Sequence, residues 1–483
     1  MLPIPSELRY EPLPEAYGAA LHKRRCTATE SSLKGGGVAH IKVYPERNGY
    51  LIPADSTLNF TIQCSLTGKS LPLSALPNPN PGGVTDVAQN DDNLLLNPVG
   101  LGQCIRSIEV LNNGSTVEII NDYDKLNSML FYADTDVSSL NSLSMTQRST
   151  YDETRGVKLH GTRVVDYGPT TGQLSSNDGS QCTTPLITCS LPIHGMLSSK
   201  APLPLGQLKH HLEIRITFVD TQPGLIDNIL YTGKASGGAT ASTATIGIST
   251  CAMEVTNIYY SATIYRLEDS AEKEVADLNN YKNEKIKWSV ESYRLAPLNY
   301  TAASFNSSTS FVNQLPAFRF NSLKWVLGAG FINNTFGAGH SGSSPIQPFD
   351  SVQWRLGGVN VPSAPLQSAP EMVVSTTSIF SDLSSSVPST LFREQNSTIN
   401  QRYNPVTTGS DTNSLRMVTG YTWEAFPNVE AISGINSTGM NCEFLATTAN
   451  QVIQATRLLR YYHASSFDAV CVISTDGILS MAY

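Results

Sequence analysis

A chain of 483 residues with 40% hydrophobic and 15% charged side chains carries enough apolar material for a large core, which excludes a disordered polymer. Its net charge of -8 excludes a basic nucleic-acid-binding surface over the bulk of the chain, and no apolar run approaches the ~18 residues of a membrane-spanning helix. Ser, Thr, Asn, Gly and Pro stand where charge is missing, which suits a surface largely covered by partners.

Residues 1–35 are punctuated by proline and read as an N-terminal arm, with the basic run His22-Lys23-Arg24-Arg25 as a solvated turn within it. The start Met1-Leu-Pro-Ile-Pro lacks the charged and apolar regions of a signal peptide, so folding in a reducing compartment is expected. From residue 36 a strand pattern begins: Ile41 and Val43, then Leu58, Phe60, Ile62 and Cys64, alternate with polar residues. Residues 66–97, rich in Pro and Gly, form a long loop of the kind that is usually functional or interfacial. Ile105 to Leu111 predicts a strand, Asn112-Asn113-Gly114 a tight hairpin turn, and Thr116 to Ile120 the return strand. A helix follows over 121–133, capped by Asn121 or Asp122, with Tyr123, Leu126, Met129 and Leu130 on one face. Further strands are expected at Leu212 to Phe218 and at Met253 to Leu267.

Residues 268–285 are the most charged stretch and predict a short linker helix between a first domain, 36–267, and a second, 286–483. The second half repeats the plan. Strand patterns occupy Ile286 to Tyr293 and Phe318 to Leu327. Val352 to Leu356 leads through Gly357-Gly358 into Val359, about 245 residues after the first hairpin. A helix with capping-box spacing, Ser368 and Glu371, comes next and carries Met372, Ile379, Phe380 and Leu383 on one side. At the end, Val452 to Tyr462 and Phe467 to Ile473 predict a strand pair, and Thr475-Asp-Gly477 turns into a last strand, Ile478 to Tyr483. The Tyr259-Tyr260 and Tyr461-Tyr462 pairs are each expected to put one ring inward and one outward. The fold class is therefore all-β: two consecutive eight-stranded antiparallel sandwiches, each with a short inserted helix.

No catalytic, cofactor-binding or metal-binding residue is assigned. The eight cysteines lack zinc spacing and read as reduced core thiols, with a Cys182–Cys189 disulfide as the alternative. The eight histidines form no metal motif, and adjacent His210 and His211 would point to opposite faces of a strand. Asp91-Asp92 and Asp134-Thr-Asp136 are candidate calcium ligands that read more simply as a solvated loop and a helix end. Gly337-Ala-Gly339-His-Ser-Gly342 matches a dinucleotide-loop pattern, but Ser343-Ser-Pro-Ile-Gln-Pro cannot start the helix such a site needs. Sequons such as Asn113-Gly-Ser115 read as chance.

Gly102 to Gly114 followed by Ile119-Ile-Asn-Asp-Tyr-Asp-Lys-Leu126, and Pro202-Leu-Pro-Leu-Gly-Gln-Leu208 before an alternating strand, resemble segments of double jelly-roll major capsid proteins, those of polinton-like viruses and virophages above all. The resemblance implies two jelly rolls and a homotrimer whose six jelly rolls form a pseudo-hexagonal capsomer. It further implies contacts with penton and minor capsid proteins, and an icosahedral shell that in some relatives encloses a membrane. It implies no enzyme activity, no cofactor and no sequence-specific nucleic-acid binding. The terminal arm would lock capsomers, so removing residues 1–30 is expected to spare the trimer and impair the shell. Whether Lys23, Arg24 and Arg25 meet genome, lipid or another subunit stays open. A receptor- or glycan-binding sandwich is the alternative, and a carbohydrate-active enzyme would need two carboxylates roughly 5–10 Å apart.

Overall fold

The computed structural model describes residues 19–70, 94–96, 99–135, 140–147, 181–183, 186–220, 230–232, 247–269, 273, 286–300, 309–333, 345, 347–380, 417–424, 433–448 and 458–483. Among the described residues sixteen strands form the framework of the two sandwiches, and shorter strands, such as Gly49–Leu51 and Leu479–Ala482, pair alongside them. The first eight are β1 (Ala19–Thr27), β2 (Val38–Val43), β3 (Thr57–Ser70), β4 (Ile105–Asn112), β5 (Ser115–Asn121), β6 (Ile187–Leu191), β7 (Leu212–Phe218) and β8 (Gly247–Leu267). The second eight are β9 (Ile286–Tyr300), β10 (Thr309–Gln314), β11 (Leu323–Asn333), β12 (Ser351–Leu356), β13 (Val359–Leu366), β14 (Thr419–Thr422), β15 (Cys442–Thr448) and β16 (Leu458–Ile473). The helices are α1 (Tyr123–Asp134), α2 (Leu140–Thr146) and α3 (Ala369–Phe380).

The first sandwich faces a sheet of order β6-β3-β8-β1 with one of order β2-β7-β4-β5. The second repeats both orders strand for strand: β14-β11-β16-β9 and β10-β15-β12-β13. Adding eight to a strand number therefore gives its counterpart. This is the jelly-roll topology twice over, and all of these pairings are antiparallel.

Period-two patterning drives each sheet onto its core. In β7, Leu212, Ile214, Ile216 and Phe218 are fully buried while the residues between them are half-buried. Burying such side chains contributes about 1.5–3 kcal/mol each. The β4–β5 turn places Asn113 and Gly114 at φ 52° and 74°, the left-handed pair of a two-residue hairpin, and Gly357 and Gly358 repeat this at 58° and 86°. A Cβ on Gly114 would meet no atom, so Gly114→Ala is expected to cost only its backbone strain, about 1 kcal/mol in urea denaturation. The predicted capping box is formed: Glu371 accepts from the Gln367 and Ser368 amides, and Ser368 Oγ accepts from the Glu371 amide. Asp122 caps α1 from a left-handed conformation at φ 50° without a side-chain bond.

Four expectations need correction. The arm does not extend to residue 35, because Ala19–Thr27 is a strand hydrogen-bonded along β8 from Leu267 to Tyr259. Of its described side chains only Cys26 reaches the core, so the backbone ladder makes this strand and no apolar alternation announces it. Truncation at residue 30 would thus remove a strand of the sheet. The basic run is accordingly strand, not turn. The C-terminal strand pair is one 16-residue strand, β16; His463, Ser465 and Ser466, between the two expected strands, are fully buried within it. Finally, Tyr461 and Tyr462 are both buried, Tyr462 edge-on to Phe331, whereas Tyr260 points inward and Tyr259 is half-exposed as expected. In addition, α2 gives the first sandwich a second helix. Most of the predicted linker helix, and residues 1–18, lie outside the described residues.

Candidate assembly interface

The predicted candidates fall on separate parts of the molecule. His22 and Arg24 on β1 turn toward Glu46, at 3.3 and 3.0 Å, and Arg24 Nη2 also donates to the Tyr44 carbonyl at 2.7 Å. Arg25 lies over the Tyr259 ring at 3.8 Å, and Lys23 is exposed. His22 and Arg24 thus share one carboxylate partner, while Lys23 and Arg25 lie on the other face of the strand. His210 and His211 precede β7 rather than lying on it, and their carbonyls accept from Asn112 Nδ2 at 3.1 and 3.3 Å.

No disulfide joins Cys182 and Cys189. Cys182 sits opposite Leu66, and the Cys189 thiol donates to the Phe60 carbonyl at 3.7 Å. Asp134 ends α1. Asp91, Asp92, Asp136, the glycine loop 337–342, His160 and His340 lie outside the described residues. Among the described residues no three His, Cys, Asp or Glu side chains converge as metal ligands.

What the sequence did not reveal is a polar seam where the sandwiches meet. There β5 packs on β9 and on the terminal strand Leu479–Ala482, and α1 packs on α3. Glu118 of β5 lies in this seam, buried. It accepts from the Met196 amide at 2.9 Å and from the Ser292 hydroxyl of β9. Burial pushes its carboxyl up to about 7, because among the described residues no cation offsets the loss of water. Gly195 admits the carboxylate: it sits at φ 94°, and a Cβ there would stand 2.7 Å from both Glu118 oxygens.

His194 is held beside this group. Its amide donates to the Tyr123 hydroxyl at 3.2 Å, and its ring lies between Tyr123, at 5.8 Å, and Tyr293 of β9, at 6.2 Å. Burial lowers it to about 4, so the imidazole is neutral near pH 7. At the other end, Asn112 of the first hairpin accepts from the Leu479 amide at 2.9 Å, and the Lys209 amide donates to the Gly477 carbonyl at 3.0 Å. These directional bonds fix the orientation of one sandwich on the other, which apolar contact alone specifies poorly. A lone Glu in a β-hairpin carries no sequence signal for such a role. Its surroundings come from both sandwiches, Gly195 and Met196 from the first and Ser292 from the second.

Away from the seam, the outward faces carry isolated large apolar side chains: Leu21, Val312, Val359 and Val374. No protein-family profile and no curated protein sequence matches the chain. Solved structures do. A chain of the Sputnik virophage structure is similar over 99% of this chain and 91% of its own, with TM-score 0.55 and 10% identity. The Faustovirus major capsid protein is similar over 98% and 93%, with TM-score 0.54 and 9% identity. The mavirus major capsid protein is similar over 100% and 95%, with TM-score 0.51 and 10% identity. Together with the repeated strand order, these full-length likenesses establish the fold of the chain as a double jelly roll, the architecture it shares with these viral capsid proteins.

Proposed function

We propose that this protein is a major capsid protein, a component of the virion that self-assembles as homotrimers with pseudo-hexagonal outline into an icosahedral shell. The observation that carries the reading is the exact repetition of strand order in two sandwiches held at a fixed mutual orientation. Each chain supplies two similar wedges, and three chains supply the six that fill a hexagonal lattice position. The low charge and hydroxyl-rich composition suit surfaces destined for burial against neighbours. Penton and minor capsid proteins are the further partners this role requires, and the net charge of -8 leaves neutralisation of a genome to other components. Light scattering coupled to size-exclusion chromatography at micromolar concentration is expected to give the mass of a trimer, about three times 52.2 kDa. Electron micrographs are expected to show particles of hexagonal outline. A monomer under those conditions would count decisively against the reading.

A further inference from the structure

The sequence holds two Asn-Gly steps, Asn48-Gly49 and Asn113-Gly114. In each the asparagine lies in the left-handed region, at φ 58° and 52°. Such a step carries a reaction within itself. The glycine nitrogen can attack the side-chain carbonyl carbon of the asparagine before it, since glycine has no Cβ to obstruct the approach. Three freedoms are needed: an asparagine amide open to water, a glycine N–H that is not held as a donor, and room for the peptide plane between them to turn.

The fold withholds all three from Asn48 and leaves all three to Asn113. Asn48 is 7% exposed, its Nδ2 donates to Asp269 Oδ1 at 2.5 Å, and its carbonyl accepts from the Leu267 amide at 3.0 Å. The Gly49 N–H donates to the Glu46 carbonyl at 3.0 Å, and a Cβ on Gly49 would stand 2.9 Å from the Glu46 Cβ. Asn113 and Gly114, by contrast, are exposed at the tip of the β4–β5 hairpin. Among the described residues neither the Asn113 side chain nor the Gly114 N–H makes a hydrogen bond, and a Cβ on Gly114 would meet no atom.

We infer that Asn113 is a site of spontaneous covalent modification, converted through a cyclic imide to aspartate and isoaspartate. Hydroxide takes the proton from the Gly114 nitrogen, which bonds to Asn113 Cγ, and the side-chain amino group departs as ammonia. Water then opens the ring. Addition at Cγ breaks its bond to the Gly114 nitrogen and leaves aspartate. Addition at the Asn113 main-chain carbonyl carbon breaks the other bond to that nitrogen and leaves isoaspartate, whose chain runs through Cβ and Cγ.

The isoaspartate form reaches the seam. Its backbone is longer by one methylene, inside a turn with only Asn113 and Gly114 between the paired Asn112 and Ser115. Asn112 accepts from the Leu479 amide and donates to the His210 and His211 carbonyls. A lengthened turn displaces Asn112 and so loosens the terminal strand Leu479–Ala482. Loss of ammonia is one-way, which makes the turn a covalent clock on the joint between the sandwiches.

Protein held at pH 8.5 and 37 °C is expected to gain, at Asn113, the small mass difference between a hydroxyl and an amino group. Peptide mass spectrometry should find this about tenfold or more faster than at Asn48, where local opening must come first. In urea the two steps should convert at similar rates. Asn113→Gln, whose longer side chain closes a larger ring, should stay unmodified at that position. Hydrogen exchange at the Leu479 amide should quicken as isoaspartate accumulates, and stay slow in fresh Asn113→Asp, which has the charge but the ordinary backbone. Equal rates at Asn48 and Asn113 in the folded chain, or conversion of Asn113 in urea alone, would overturn the site. Unchanged Leu479 exchange in fully converted protein would overturn its effect on the seam.

Discussion

Replacing Glu118 by glutamine is expected to stabilise the protein above pH 7 and to change it little below pH 4.5. Glu118 binds its proton more tightly in the folded chain, at about 7, than in the unfolded chain, at 4.5. Its favourable contribution is therefore complete below pH 4.5 and is lost as the pH rises through 7, leaving an ionised carboxylate in the seam. That loss is about 3 kcal/mol, the free-energy equivalent of moving one buried carboxyl over this range. Glutamine keeps an acceptor for the Met196 amide and a partner for the Ser292 hydroxyl, and it carries no charge.

Two histidines act in the opposite sense. Burial lowers His194 to about 4 and His463 to about 3, from 6.5, so their contributions are present above pH 6.5 and are lost as the pH falls through those values. The parent should be most stable between these effects, near pH ~6.5 to 7. In Glu118→Gln the fall between pH 6.5 and 7 is removed, and stability should climb to a plateau above pH 7. Urea denaturation from pH 5 to 8.5 measures this directly. A difference between variant and parent that does not grow with pH would mean that Glu118 is not the group that titrates.

Trp354→Ala is expected to cost about 3–5 kcal/mol, the range for emptying a large aromatic site in a packed core. Trp354 is fully buried on β12, 5.9 Å from Phe444, which stacks on Tyr461 at 5.2 Å and meets His463 edge-on at 4.4 Å. Its indole N–H has no hydrogen-bond partner among the described residues, so truncation removes packing and nothing else. The equivalent test in the first sandwich is Phe60→Ala, which breaks the edge-to-face pair with Phe218 at 5.5 Å. Trp354→Phe should retain most of the stability, since it keeps a ring against Phe444. A loss below about 1 kcal/mol for Trp354→Ala would contradict the packing described for the second core.

Local rules carried much of the fold. The Asn113-Gly114 turn, the alternation in Leu212 to Phe218 and the Ser368–Glu371 capping box were legible because each depends on residues adjacent in sequence. What local rules cannot reach is burial created by another part of the chain. β1 is a strand because β8 supplies its hydrogen bonds, although its own side chains are mostly polar. His463, Ser465 and Ser466 lie inside β16 because β9 and β11 flank it on both sides. For the same reason Tyr461 and Tyr462 are both covered, where one of the two was expected to face outward. The seam was the least legible feature: Glu118, His194 and Ser292 are far apart in sequence and acquire a joint role only after both sandwiches form.

The six cysteines described in full all lie buried: Cys26, Cys64, Cys104, Cys189, Cys442 and Cys471. Burial raises the thiol pKa of Cys26 and Cys104 and pushes Cys442 up to about 12, and the thiolate is the form that oxidants attack. At these six positions oxidation must therefore wait until the strands around each thiol open, so the rate of chemical ageing there is set by local unfolding and not by the oxidant.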